Sequence, residues 1–90
     1  MQAVWKYPLQ QVGQQEIIMP AGAEVLAVQM QGNTLTLWAK VSIPEPHDPP
    51  LYQKVHILGT GHEKEKIKGR YIGTVQQMSG DLIWHVFIEN

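Results

Sequence analysis

Residues 24–41, Glu-Val-Leu-Ala-Val-Gln-Met-Gln-Gly-Asn-Thr-Leu-Thr-Leu-Trp-Ala-Lys-Val, decide the fold, because they have the pattern of two strands joined by a tight turn. Apolar and polar residues alternate on both sides of Gly32-Asn33, a dipeptide typical of a two-residue β-hairpin turn. The alternation predicts that the first strand places Leu26, Val28 and Met30 on one face. In the return strand it predicts an inward row of Leu35, Leu37, Ala39 and Val41, and an outward row of Thr34, Thr36, Trp38 and Lys40.

Five further segments have the length and composition of strands, and they span residues 3–9, 16–19, 52–59, 70–77 and 81–88. Pro8 has no backbone N–H to give to a sheet, so the first segment is predicted to be an edge strand. Residues 42–50 hold four of the six prolines and predict a stiff extended loop. The chain is therefore expected to be one all-β domain over residues 1–90, a small antiparallel sandwich or barrel of about seven short strands.

Composition limits the classes of partner and chemistry. A net charge of −1 gives no long-range attraction to DNA, RNA or an anionic membrane, so none of these partners is expected. The absence of cysteine excludes disulfides, thiolate catalysis and cysteine-based zinc sites. No apolar run approaches the roughly 18 residues of a membrane span, and no signal peptide is evident. A soluble cytoplasmic protein is expected.

The last predicted strand is apolar on both faces. Trp84 lies on one face with its alternating neighbours, and His85 lies on the other between Ile83 and Phe87. A strand of this kind is normally covered on both sides. The sequence leaves three kinds of cover open for the second face: a loop or the N-terminal strand, a homo-oligomer interface, or a bound ligand.

The cationic residues are concentrated in one loop. Four of the seven Lys and Arg residues follow Gly59-Thr60-Gly61-His62 within a few positions, namely Lys64, Lys66, Lys68 and Arg70. Two glycines around a threonine expose backbone N–H groups, which favours an anion-binding concavity for phosphate. The alternative is a hairpin tip that the charged residues simply solvate. The spacing matches neither a Walker loop nor a dinucleotide-binding fingerprint.

Aromatic residues are numerous enough to stack on nucleobases. Candidates are Trp5, Trp38, Trp84 and Tyr71, and His85 is added to the same ligand-binding set. The alternative for each aromatic residue taken singly is a place in the core or at its rim.

An enzymatic site has little support. The chain has no HExxH spacing, no paired carboxylates and no nucleophile-elbow context, so no catalytic residue, metal ligand or cofactor is assigned. A small hydrolase built from His62 with His85 is the remaining enzymatic alternative.

Several blocks together resemble a family of small single-domain phage and prophage proteins, carried as a domain of unknown function. The blocks are Val4-Trp5-Lys6-Tyr7-Pro8-Leu9, Met19-Pro20-Ala21-Gly22-Ala23-Glu24-Val25-Leu26, Leu37-Trp38-Ala39, Ile57-Leu58-Gly59-Thr60-Gly61-His62, Tyr71-Ile72-Gly73-Thr74-Val75-Gln76 and Ile83-Trp84-His85-Val86-Phe87. The family in turn is similar to phage anti-CBASS proteins. That similarity implies a sponge: a homo-oligomer, dimer or tetramer, that binds and sequesters a cyclic nucleotide second messenger of host immunity without cleaving it.

Two other functions stay open at this point. One is a protein-binding inhibitor of a host enzyme, or a virion accessory protein, with Trp38, Ile83 and Phe87 as its contact surface. The other is the small nucleotide hydrolase.

Overall fold

The computed structural model describes residues 1–11 and 13–89, and its regular structure is almost entirely antiparallel β. The seven strands are β1 (Gln2–Pro8), β2 (Gln14–Pro20), β3 (Glu24–Gln31), β4 (Thr34–Ser42), β5 (Pro50–Gly59), β6 (Arg70–Gln77) and β7 (Leu82–Glu89). A 3-10 turn over Met78–Gly80 joins β6 to β7, and the described ranges contain no α-helix. This confirms the predicted all-β class and the number of strands.

The strands form two sheets, so the architecture is a sandwich rather than a closed barrel. One sheet has the order β1-β4-β3 and the other the order β2-β5-β7-β6. The edges β3 and β6 lie against each other, where a Cβ on Gly73 would sit 3.0 Å from Val28 Cγ1. The missing side chain at Gly73 therefore permits the two sheets to approach at this edge.

The opposite side of the sandwich has a groove of about 310 Å³ between β1 and β2. Trp5 and Tyr7 of β1 and Ile18 of β2 line it, together with residues of the proline-rich loop. As predicted, β1 is an edge strand.

The hairpin of β3 and β4 forms as predicted, with Gln31 opposite Thr34 and Gly32 at a φ of 59°. The prediction for Leu26 is wrong. A bulge between Val25 and Ala27 shifts the register, so that Val25 is 5% exposed while Leu26 is 48% exposed. Because a bulge adds one residue to the strand, it reverses the side-chain alternation locally.

The inward row of β4 is confirmed, since Leu35, Leu37, Ala39 and Val41 are all buried. The outward row is only partly exposed: Thr36 is fully buried and Trp38 half-buried. β4 is the central strand of its sheet, so neighbouring strands flank its outer face on both sides. The Thr36 hydroxyl is satisfied by donating to Thr34 O at 3.1 Å.

Both sheets contribute to one apolar core, in which each fully buried aliphatic side chain contributes roughly 1.5–3 kcal/mol. The buried members of this core are Leu9, Met19, Val25, Val28, Leu35, Leu37, Ala39, Val41, Val55, Ile57, Val75, Val86 and Ile88.

The proline-rich segment between β4 and β5 contains a tight turn. The prediction of an extended loop is therefore wrong for part of this segment. The backbone N–H of Glu45 donates to Asp48 Oδ2 at 2.9 Å, and the Asp48 N–H donates to Glu45 O at 3.0 Å. The Asp48 carboxylate thus closes the turn in which it lies, and this is why the chain changes direction here. Over the residues that the structure describes, no helix has the length and apolarity needed to cross a membrane.

Candidate ligand-binding site beneath the lysine loop

Residues 60–69, here called the lysine loop, connect β5 to β6 and fold back over the outer face of the four-stranded sheet. Leu58 lies on that outer face, in register with His85, yet it is only 6% exposed. Leu58 and Ile67, which is carried by the lysine loop, together line two cavities under the loop. The loop is thus one of the covers that the sequence left open for the second apolar face of β7.

The lysine loop is held closely at both ends by glycines. Gly69 has a φ of 100°, and a Cβ there would lie 2.6 Å from Ile88 O. At the other end the His62 ring packs on Gly59, where a Cβ would lie 2.8 Å from Cε1. Only glycine allows the backbone and the ring to come this close.

The predicted backbone cradle for phosphate is partly used up by the turn itself. The N–H of His62 donates to Gly59 O at 3.1 Å, and the N–H of Gly59 donates to His62 Nδ1 at 3.2 Å. Because Nδ1 accepts, the neutral ring carries its proton on Nε2. The Gly59 and His62 amides are therefore unavailable to an anion, and the cradle is reduced to the amides between them.

The larger cavity, here called the lysine cavity, has a volume of about 410 Å³. It brings together three of the predicted cations, Lys64, Lys66 and Lys68, with a fourth, Lys54 of β5. These four lysines outnumber the three glutamates of the lining, which are Glu63, Glu65 and Glu89. Arg70, also predicted, is an exposed residue at the start of β6 opposite Ile88 and is not part of the lining.

The side of the lysine cavity formed by the sheet contains a hydrogen-bonded pair, His56 and Glu89, that sequence reasoning missed. His56 Nε2 lies 2.9 Å from Glu89 Oε1, and His56 is buried. This hydrogen bond is the main cause that holds the pKa of Glu89 below its ordinary value, and the charges of Lys54 and Lys68 act in the same direction. The alternation along β5 would have placed Lys54 and His56 on the same face of the sheet. It could not have shown that Glu89 of β7 lies beside them, because that contact is distant in sequence.

The second cavity, here called the small cavity, has a volume of about 190 Å³. It collects five predicted site residues at the mouth of the turn, with three apolar neighbours. Its lining consists of Gly59, Thr60, Gly61, His62 and His85, with Leu58, Ile67 and Phe87.

A chain of hydrogen bonds, here called the hydroxyl chain, runs along the small cavity and into β6. His85 Nε2 lies 2.7 Å from Thr60 Oγ1, and its Nδ1 lies 3.0 Å from Thr74 Oγ1. Thr74 Oγ1 lies 2.6 Å from the hydroxyl of Tyr71, whose ring packs 5.5 Å from that of Phe87. Tyr71 and His85, two of the predicted site residues, are therefore joined by hydrogen bonds through Thr74.

The three tryptophans lie in three other places. Trp5 lines the groove between β1 and β2, and Trp38 lies on the outer face of the three-stranded sheet. Trp84 faces the core, where its Nε1 donates to Gln77 Oε1 at 2.9 Å. In the described lining of the lysine cavity and the small cavity there is no tryptophan. Strand alternation thus places these indoles away from the predicted ligand.

Among residues 1–11 and 13–89, no three His, Asp or Glu side chains are placed to hold a metal ion. A family model described as Domain of unknown function (DUF7352) matches residues 1–90. Comparisons with curated proteins and with solved structures return no match.

Proposed function

Since the chain belongs to the DUF7352 family, which is a domain of unknown function, we propose from the site that it binds and sequesters a cyclic nucleotide second messenger without altering it. The observation that carries the proposal is the lysine cavity, where Lys54, Lys64, Lys66 and Lys68 converge over a neutral small cavity. Its volume of about 410 Å³ lies within the range of about 300–1,000 Å³ that small-molecule sites occupy.

The charges of the lysine cavity suit a phosphate. Its four lysines outnumber its three glutamates, so the lining keeps an excess of cationic side chains. Each lysine that reaches a phosphate oxygen adds a charge-assisted hydrogen bond worth roughly 1.5–3 kcal/mol. Local attraction of this kind needs no basic protein, which agrees with a net charge of −1.

The environment of His85 favours binding over catalysis. Thr60 and His85 have the spacing of a hydroxyl and its base, at 2.7 Å. Behind the ring, however, Nδ1 meets the neutral hydroxyl of Thr74 rather than a carboxylate. In a Ser-His-Asp triad the carboxylate stabilises the imidazolium that forms during the reaction. A site without that charge holds a ligand better than it cleaves one.

The setting that goes with this proposal is a phage protein in the cytoplasm of the infected bacterial host, where it evades cyclic-nucleotide immunity. The proposed assembly is a homodimer or homotetramer, in which two copies of the site enclose a ligand larger than one cavity.

The test is a thermal-shift screen with cyclic dinucleotides, cyclic trinucleotides and cyclic ADP-ribose isomers, followed by chromatography of the released ligand. A ligand at 100 times its Kd stabilises the folded state by about 2.7 kcal/mol, which raises the Tm of a domain of this size by several degrees. Lys66→Ala should reduce the shift, whereas Arg70→Ala, outside the lysine cavity, should not. Absence of any shift across the panel would refute the proposal.

A protein-binding inhibitor or virion accessory protein is the second candidate. Its support is an exposed apolar pair, Ile18 and Tyr52, which are register partners with 60% and 56% exposure. The predicted contact residues Trp38, Ile83 and Phe87 are half-buried and suit this role less. A pull-down from host lysate with wild type and Ile18→Lys tests it, and a partner retained only by wild type would support it.

The small nucleotide hydrolase is the third candidate, and the 2.7 Å contact between Thr60 and His85 is the observation that favours it. His62 bonds its own turn and is not in that contact. Altered ligand recovered in the chromatography step, and lost in His85→Ala, would establish it. Intact ligand would dismiss it.

A further inference from the structure

The small cavity differs in chemistry from the lysine cavity beside it. Its described lining contains no Lys, Arg, Asp or Glu, and Phe87, Leu58 and Ile67 give it apolar walls. Its volume of about 190 Å³ is below the roughly 300 Å³ at which whole small-molecule sites begin. It therefore has room for one part of a ligand, and a neutral part.

The two cavities adjoin. Leu58 and Ile67 line both of them, so one ligand can extend past Ile67 from one cavity into the other. A ligand that does so has an anionic group at the lysines and an uncharged group near Phe87. A nucleotide has this division, since its phosphate is charged and its base is a neutral ring.

The hydroxyl chain gives the small cavity a hydrogen-bonding group that works in two directions. In one arrangement, Tyr71 donates to Thr74, and Thr74 donates to Nδ1 of His85. The proton of the His85 ring is then on Nε2 and is donated to Thr60, whose own O–H stays free for a ligand. When the protons are reversed, Thr60 donates to Nε2 and offers only lone pairs to a ligand. Each hydroxyl and a neutral imidazole can both donate and accept, so both arrangements satisfy the chain.

From these features we infer that the small cavity is a nucleobase subsite, in which Phe87 and Ile67 contact the ring and Thr60 reads its polar edge. The inference rests on the proposed function and names how the ligand is oriented: phosphate at the lysines, base at Thr60. Thr60 can present either a donor or an acceptor, so the subsite takes both purines. Adenine has an amino donor at position 6 beside its N7 acceptor, whereas guanine has acceptors at both positions.

The test is isothermal titration of three probes, cyclic di-AMP, cyclic di-GMP and pyrophosphate, into wild type and three variants. Thr60→Val keeps the side-chain shape and removes the hydroxyl, whereas Lys66→Ala removes one cation of the lysine cavity. Thr34→Val is the control, because it makes the same change as Thr60→Val at an exposed position of the other sheet. Wild type should bind both cyclic dinucleotides. Thr60→Val should weaken both by about fivefold more than it weakens pyrophosphate, because one neutral hydrogen bond to the base is lost while any loosening of the lysine loop acts on all three probes alike. Lys66→Ala should weaken all three, and Thr34→Val none.

The outcomes separate this inference from the proposed function. Weakening of the cyclic dinucleotides by Lys66→Ala but not by Thr60→Val would overturn the base subsite and leave sequestration standing. Binding of only one of the two cyclic dinucleotides would overturn the two-way reading by Thr60. If neither binds, the base subsite fails, and the wider screen then decides whether sequestration fails with it.

Discussion

His85 Nε2 and Thr60 Oγ1 lie 2.7 Å apart, although 25 residues separate them in the chain. This contact ties the first residue of the lysine loop to β7. It joins a loop to the sheet beneath it, so its loss should loosen the loop more than the fold as a whole.

We therefore expect Thr60→Val to speed tryptic cleavage after Lys64 and Lys66, while the free energy of unfolding falls by no more than the value of one hydrogen bond, about 0.5–1.5 kcal/mol. The measurement is limited proteolysis read by mass spectrometry, with Thr34→Val as the matched control on the β3–β4 hairpin. Equal cleavage rates in all three proteins would show that the contact does not hold the loop.

Gly69 should be the least replaceable position of the lysine loop. Its φ of 100° is unfavourable for any side chain, and a Cβ would lie 2.6 Å from Ile88 O, a backbone atom that cannot move aside. Gly69→Ala should cost at least about 1–2 kcal/mol, the penalty of left-handed backbone alone. Gly13→Ala is the control, because nothing lies within 4 Å of its Cβ position. Urea unfolding compares the two, and equal midpoints would contradict the placement of Gly69.

Stability should depend on pH through Glu89. Its pKa in the folded protein lies below the ordinary value of 4.5, chiefly because of the hydrogen bond with His56. The unfolded chain therefore takes up the proton first as the pH falls. The stabilisation is complete above pH 4.5 and is lost as the pH falls from there through the lowered pKa of the folded state.

Glu89→Gln should accordingly be less stable than wild type at pH 7, and the difference should shrink as the pH falls below 4.5. Urea titrations of both proteins at a series of pH values measure it. A difference that stays constant or grows as the pH falls below 4.5 would show that His56 does not stabilise the ionised carboxylate.

The bulge in β3 makes a prediction about two leucines of one hairpin. Leu37 is fully buried, so Leu37→Ala should cost about 2–5 kcal/mol. Leu26 is 48% exposed at the bulge, so Leu26→Ala should stay within roughly 1 kcal/mol. Chemical denaturation of both variants decides the matter, and a comparable loss at Leu26 would place that side chain in the core.

The secondary structure of this protein was predictable from sequence because its determinants are local. Alternation of apolar residues, the Gly32-Asn33 turn and the placement of Pro8 identify strands within a few residues of their observed bounds. The burial of Leu26 was mispredicted because β3 contains a bulge at this residue. One extra residue in a strand is not visible in a pattern of alternating apolar and polar residues.

The clustering of cations in the loop and the Gly-Thr-Gly-His turn were likewise visible in the sequence, but the site as a whole was not. Which cations converge depends on how the lysine loop folds over the sheet, and it includes Lys54 while leaving Arg70 outside. The use of the Gly59 amide by His62 depends on a turn geometry that composition does not specify.

By itself, then, the sequence determined an all-β chain of seven strands, its hairpin and its cationic loop, because backbone preference and side-chain alternation act between near neighbours. Only the tertiary structure decided that the sheets form a sandwich, that Trp84 faces the core, and that His56 meets Glu89 across 33 residues. Such pairings follow from strand order and sheet packing, which bring distant residues into contact and which no local pattern encodes.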